Sequence, residues 1–594
     1  MSSVAPPVPS RPLADPALAA IVANRLHAIA EHMAETMLRT SRSPVFQMRD
    51  FVTGIFTADG RWVATKDWIP VLAGSMPSAL RAIEERFAGE IHAGDVYVLN
   101  DPYHGNNHPP DITVVKPVFH DGALVFWAMS KGHHADVGGG GVMGYNPNAV
   151  DCWDDALRIP PVRLYARGAY QRDVWDLILL NVRMREFVEG DLHCQVGAVS
   201  VGADDLLAMV EKFGIAALDG AIDRHLDAAE RHMRAEIAQL RDGTYRAERL
   251  IENGSAVAPD PVRVVVEARV EGERLTFDFT GSDPQVQGYA NSPYANTVAS
   301  CHIAVFALVD PDLGMNSGST APIDVIAEPG TIVHALAPAA TTLATLANCE
   351  AIVEAIWIAL ADAVPRGSNA GWARACNVAQ MGVEETTGRP FITIGGFGHG
   401  GSGATLDADG WDGLGTPVTM GGHQTMDPEQ VELSGPATVL GFGLETDSAG
   451  AGRWRGGVST WVRYRIDQDD LPCLRWGGGT AEETAPFGLH GGRPGRPNRA
   501  ELHRADGTVE PIVVNTIRTV GAGDVVVQHH AGGGGYGDPA ERDPEAVLRD
   551  VRAGVVSAAA AERDYRVAVD PSTWTVDAAR TAALRSGADP IPSP

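Results

Sequence analysis

Lysine is almost missing from this 594-residue chain: only Lys66, Lys116, Lys131 and Lys212 occur, so arginine supplies nearly all the positive charge. With 47 basic against 75 acidic residues, the formal net charge is −28. No polybasic run is present to hold a phosphate backbone or an anionic lipid surface, which argues against nucleic acid and membrane as partners. The six cysteines (Cys152, Cys194, Cys301, Cys349, Cys376 and Cys473) contain no CxxC pair, so neither a thiolate zinc site nor a disulfide framework is expected. Uninterrupted apolar stretches of membrane-spanning length, about 18 residues, are absent. The Pro-rich start, MSSVAPPVPSRPLADP, lacks the regions of a signal peptide. A cytoplasmic protein is the expectation. The phosphate-binding pattern GxxxxGK[ST] is also missing, so this chain is not expected to bind ATP itself.

Glycine and proline, by contrast, are plentiful at 66 and 39 residues. Residues 1–245 are expected to form an N-terminal domain, 246–390 a middle α/β domain and 391–594 a Gly-rich β domain closed by a terminal helix. The fold class is read as α+β (mixed α/β), multidomain, with antiparallel hairpins, flanking helices and Gly-rich loops. Asp15 caps a helix that begins at Pro16 and carries Leu18, Ile21, Val22, Leu26, Ile29, Met33 and Met37 on one stripe. A second helix is expected over Leu218–Leu240, stopped by Asp242-Gly243. Cys349 to Val364 reads as a buried helix, and a last one runs from Asp543-Pro544 to about Gly554. Strands are expected at DVYVLN (95–100), ITVVKPVF (112–119) and ALVFWAM (123–129), the last two joined at Asp121-Gly122, the strongest hairpin signal in the chain. VRVVVEARV and RLTFDF form a second hairpin around Val270 to Glu273.

Chemistry concentrates in NDPYHGNNHPPD (100–111) and, beyond the hairpin, KGHHADVGGGG (131–141). A hydrolytic metal site needs about three mixed His and carboxylate ligands with positions left open for water and substrate. His108, Asp111 and one of His133 or His134 would provide them. A two-residue turn at Asp121 and Gly122 places Asp111 opposite Gly132, so HPPD and HHAD meet at the same end of the hairpin. Strict alternation then puts His134, not His133, on the face of Asp111. Pro117 within the strand suggests a bulge that would exchange them, and pattern alone leaves the choice open. The competing reading is that these residues cap turns. Asp136, His134 and Asp101 are candidates for orienting or proton-transfer roles beside the metal. The glycine clusters at 395–403, 476–480 and 532–539 could cradle phosphate but read first as turns and subunit contacts. Ser75 and Ser402 lack a convincing nucleophile elbow. His423, Glu429 and Glu432 read as a solvated loop.

The chain also resembles a known family, the B subunits of the hydantoinase/oxoprolinase group, which includes N-methylhydantoinase, lactamase and acetone or acetophenone carboxylase relatives. The likeness runs through SPVFQMRDF (43–51), IPVLAGSMP (69–77), NDPYHGNNHPPDITVVKPVF, HHADVGG, RIPPVRL (158–164), LILLNVR (177–183), GDLHCQVGA (190–198), TDSAGAGRWRGG (446–457) and GGGGYGDPAERDPEAVLRDV. It implies a two-component enzyme in which an ATP-hydrolysing A subunit phosphorylates a carbonyl or enolate oxygen and the B subunit completes the reaction at one divalent metal, zinc first, with manganese or iron as alternatives. It further implies His108, Asp111 and His133 as the ligands. Three segments depart from the family pattern: Leu72 replaces a histidine in IPVLAGSMP, the stretch after the metal motif reads GGGGVMGYNP, and another reads TMGGHQTMDPEQVEL (419–433). These positions are expected to border the substrate cavity, which puts hydantoin itself in doubt. The expected function is therefore ring opening of a cyclic amide in a hetero-oligomer with an A-type ATPase. Its competitors are a ketone carboxylase subunit and a non-catalytic scaffold.

Overall fold

The structure is a computed structural model that describes residues 15–252, 259–364, 367–395, 399–570 and 572–587. Residues 1–14 of the Pro-rich start and residues 396–398 of the Gly-rich 395–403 segment lie outside them. The architecture is mixed α/β with several largely antiparallel sheets.

The sheet that builds the site has seven strands in the order β2-β1-β5-β4-β3-β6-β7. These are β1 (Phe51–Thr57), β2 (Trp62–Asp67), β3 (Val96–Leu99), β4 (Asp111–His120), β5 (Ala123–His133), β6 (Val162–Ala166) and β7 (Ala169–Tyr170). Side chains alternate between its two faces. Ile112, Val114 and Ala128 pack under helices α1 (Pro16–Thr40) and α3 (Arg185–Phe213). Tyr97, Val115, Trp127 and Met129 face α2 (Pro70–Arg86). Helix α1 begins where its cap requires, with the Asp15 carboxylate accepting from Ala17 N–H at 2.9 Å.

The β4–β5 hairpin turns through Asp121 and Gly122, both at positive φ (49° and 79°) as a tight primed turn needs. Near the turn, Phe119 faces Leu124, but one step further Val118 faces Phe126, leaving Val125 as a bulge. Every pairing beyond it is displaced by one residue, so Asp111 faces His133 and not Gly132. The bulge lies beside Pro117, and it decides which histidine shares a face with Asp111.

A second sheet combines Gly243–Ile251, Val262–Glu271, Arg274–Asp278 and Ile323–Ile326. The buried helix Cys349–Leu360 packs against it. Two further sheets, of four and five strands, occupy residues 376–529. Between them, extended Gly-rich segments hydrogen-bond to one another outside any ladder: Gly401 N–H to Ala531 O (3.0 Å), Gly457 N–H to Ser402 O (2.8 Å), Gly533 N–H to Gly457 O (2.9 Å) and Gly534 N–H to Gly371 O (2.8 Å). A β-carbon on Gly401, Gly457 or Gly533 would lie within 1.9 Å of a neighbouring carbonyl oxygen. Among the described residues, no helix is long and apolar enough to cross a membrane.

Candidate metal centre

Three adjacent strand ends bring the site together. Asp111 opens β4 and faces His133, the last residue of β5. His133 N–H donates to the carbonyl of Asp50, the residue before β1, at 2.9 Å. His108 reaches the same spot from the loop before β4. Asparagines hold that loop in place. Asn100 Nδ2 donates to Pro109 O (2.8 Å), and Asn106 Nδ2 lies 2.8 Å from His108 O and 2.7 Å from Asp111 O.

Asp111 Oδ1 is 2.9 Å from His108 Nε2 and 3.2 Å from His133 Nδ1. One ligand-type atom from each of the three residues lies within 4.8 Å of the others, and all three side chains are buried. His108 Nδ1 sits 2.7 Å from the Thr342 carbonyl, which can only accept, so Nδ1 carries the proton and Nε2 presents a lone pair. That lone pair faces a carboxylate oxygen, and neither atom has a hydrogen-bond partner. Two buried acceptors pointing at each other need a cation between them. The outer contacts fit the same purpose: Thr342 O fixes His108, and Asn107 Nδ2 donates to Asp111 Oδ2 at 2.6 Å. The residues present therefore suit a divalent transition metal.

The sequence-based proton-transfer candidates all point elsewhere. Asp136 spends its carboxylate on backbone, accepting from Gly138 (3.0 Å), Met184 (3.1 Å) and Arg183. Asp101 caps the turn at Tyr103 and pairs with His104 and Arg158, each at 2.9 Å. His134, on the opposite face of the sheet, bonds Gln195 Oε1 at 2.9 Å and meets the Phe46 ring edge-on. Ser75 accepts from the buried Lys131 ammonium, and Ser402 accepts from Trp411 N–H. Neither serine lines the cavity.

The polar and aromatic residues that line the cavity with His108 and His133 include Asp50, Tyr145, Arg374, His399, His423, Trp476 and His530. The cavity measures about 110 Å³. Burial pushes the Asp50 carboxyl up to about 6, with the His133 charge opposing. Trp476, Tyr145 and His133 form a stack, with ring centroids 5.4 Å and 5.8 Å apart. His423 belongs to this wall and not to a solvated loop, because Gln424 N–H donates to Met48 O at 3.0 Å and draws the segment across the site. Glu429 and Glu432 remain exposed on the following helix, Pro428–Ser434. Asp50 lies within the family-like MRDF motif, and His399 and His530 lie next to glycine runs, where the sequence signals turns.

The profile of the hydantoinase B/oxoprolinase family matches residues 15–539. The chain belongs to this family. Caprolactamase subunit beta of Pseudomonas jessenii is 33% identical over 583 residues, covering 96% of this chain and 99% of that one. The crystal structure of ATP-dependent caprolactamase from the same organism matches with a TM-score of 0.89 at 32% identity, again covering 96% and 99%. A nucleotide-free acetone carboxylase structure matches with a TM-score of 0.90 at 21% identity, over 97% of this chain and 84% of that one, which is a likeness of fold. The three segments in which this hydantoinase B/oxoprolinase family member departs from the expected pattern all reach the cavity, through Leu72, through Met143 and Tyr145, and through Thr419 and His423.

Proposed function

We propose that this chain is the B-type subunit of an ATP-dependent cyclic-amide hydrolase, acting on a lactam-like ring whose carbonyl oxygen has been phosphorylated by an A-type ATPase partner in a hetero-oligomer. The observation that carries the reading is the near full-length similarity to a caprolactamase subunit. The acetone carboxylase likeness, at 21% identity, favours no second activity.

An amide carbonyl is a poor electrophile, and phosphorylating its oxygen activates the carbon toward water and later lets that oxygen depart as phosphate from the ring-opened acyl phosphate. His108, Asp111 and His133 would hold the metal, with zinc the first choice for two imidazoles and a carboxylate and manganese or iron the alternatives. When bound, the ion supplies Lewis acidity and makes water nucleophilic near neutral pH. Thr342 and Asn107 fix the ligand orientations. Asp50, facing the cavity beside His133, accepts a proton from the attacking water and returns it to the leaving ring nitrogen; C–N cleavage leaves an acyl phosphate, from which a second water releases inorganic phosphate and the ring-opened acid. The Trp476–Tyr145 stack and the apolar wall at Leu72 and Met143 bind the ring's hydrocarbon part and exclude bulk water.

The test is elemental analysis of the purified chain, followed by ATP-dependent ring opening of caprolactam, 5-oxoproline and hydantoin with the A-type subunit. Wild type should carry near-stoichiometric transition metal, Asp111→Ala should lose it, and ring opening should fall by about 10³-fold or more in line with loss of an essential catalytic group. A His108→Ala, Asp111→Ala double variant that keeps full activity would overturn the reading in favour of a scaffold. A carboxylated ketone as product would overturn it in favour of a carboxylase.

A further inference from the structure

Besides His108 and His133, three further imidazoles line the cavity and cluster together. His399 and His530 are neighbours because both pair with Thr460: Thr460 N–H donates to His399 O, and His530 N–H donates to Thr460 O, each at 3.0 Å. His423 meets His399 edge to face, with ring centroids 5.8 Å apart. The Nε2 atoms of all three are buried and have no hydrogen-bond partner. Native interiors rarely leave such atoms unused, and three on one wall mark a place where a ligand supplies the partners.

One buried guanidinium lines the cavity, and a second lies close to His530. The first is that of Arg374, whose carboxylate partner Glu354 is shared with Arg249. Two further carboxyls act on Arg374: Glu350, which burial pushes up to about 8, and Glu252, which accepts from Thr480, Ala481 and Thr484. Arg475 lies against the Cys376 thiol and close to His530. Its Nη1 donates to Ile512 O, while Nε and Nη2 have no hydrogen-bond partner. Among the described residues, no carboxylate lies within salt-bridge distance of it. The cavity lining therefore combines one carboxyl, Asp50, with the three imidazoles and Arg374.

We infer that His399, His423 and His530 form a binding subsite for a tetrahedral phosphoryl group, whose three terminal oxygens match three imidazole N–H donors and whose charge answers the buried arginines. A carboxylate would satisfy only part of this wall. Burial lowers the three histidines to about 4, 3 and 3, so each is neutral and keeps a single N–H to donate. His423 also feels the charge of His133, which places the imidazole cluster and the ligand triad within reach of one small molecule. The assignment of that group to a phosphorylated substrate rests on the function proposed above, whereas the oxyanion site itself does not.

The experiment is isothermal titration of the full-length chain with inorganic phosphate, methyl phosphate and acetate, before and after removal of metal by chelation. Both phosphates should bind saturably, metal removal should leave that binding in place, and acetate should bind at least tenfold more weakly. A His399→Gln, His530→Gln variant should lose at least tenfold in phosphate affinity while retaining its metal. His423→Gln, on a separate and partly exposed segment, carries the same comparison if the double variant does not fold. Absence of saturable phosphate binding, binding that vanishes with the metal, equal binding of acetate, or unchanged affinity in the variants would each overturn the subsite. Loss of binding on methylation would overturn a substrate-borne phosphoryl group as the ligand. Phosphate binding as expected, without ring opening in the reconstituted complex, would leave the subsite standing and remove the hydrolase.

Discussion

The seven-stranded sheet and the glycine-rich segments are held together by opposite means. In the sheet, Ile112, Val114 and Ala128 fill the space under α1 and α3, and Tyr97, Val115 and Trp127 fill the space over α2. Side chains carry that contact, and neighbouring side chains can partly collapse around a missing one. In the glycine-rich region, backbone meets backbone: Gly401, Gly457 and Gly533 approach neighbouring carbonyls so closely that no β-carbon fits. The requirement resembles that at the axis of a collagen triple helix, where only glycine is small enough. A region built this way cannot be repacked, because it has no side-chain volume to redistribute. It does hold His399 and His530, each next to such a segment, in fixed positions.

This contrast is open to direct attack. The largest effect is expected from Gly533→Ala, whose β-carbon would sit 1.8 Å from the Ser402 carbonyl oxygen. It should cost about 4 kcal/mol or more and leave little soluble protein, as read from yield and thermal melting. A variant that melted like wild type would sink the claim of backbone packing. Leu192→Ala in α3, where the side chain is fully buried, should cost about 2–5 kcal/mol by cavity formation yet leave a cooperatively folding protein. The smallest effect has the opposite sign. Gly197 lies inside α3, and a β-carbon there would meet nothing within 4 Å, so Gly197→Ala should gain about 0.5–1 kcal/mol in chemical denaturation.

Local signals make part of this molecule legible in advance. Asp15 with Pro16, the Asp121-Gly122 turn and Asp543 with Pro544 each mark an element boundary that the structure reproduces. Helix α3 is hidden because Gly190, Gly197 and Gly202 interrupt its pattern. Two of them serve packing: a β-carbon on Gly190 would meet Arg42 at 2.3 Å, and one on Gly202 would meet Met33 at 2.3 Å. The meeting of His108, Asp111 and the hairpin's far end follows from spacing, but the identity of the facing histidine does not, since a bulge leaves little trace in composition. His399, His423 and His530 come from segments more than a hundred residues apart at the extremes, and only tertiary packing unites them on one wall. Asp136, His134 and Asp101 mislead for a related reason. Proximity in sequence to a ligand says nothing about which face of the sheet a side chain occupies.

The bulge at Val125 turns the centre into a matter of parity. In a ladder, opposed residues share a face, and a bulge displaces every pairing beyond it by one residue. Were Val125 paired with Val118, Asp111 would face Gly132 and share its face with His134, and His133 would point into the packing under α3. Loss of Val125 altogether would make the hairpin regular and still leave Asp111 opposite His133. The centre thus depends less on the length of this hairpin than on one residue staying out of the ladder.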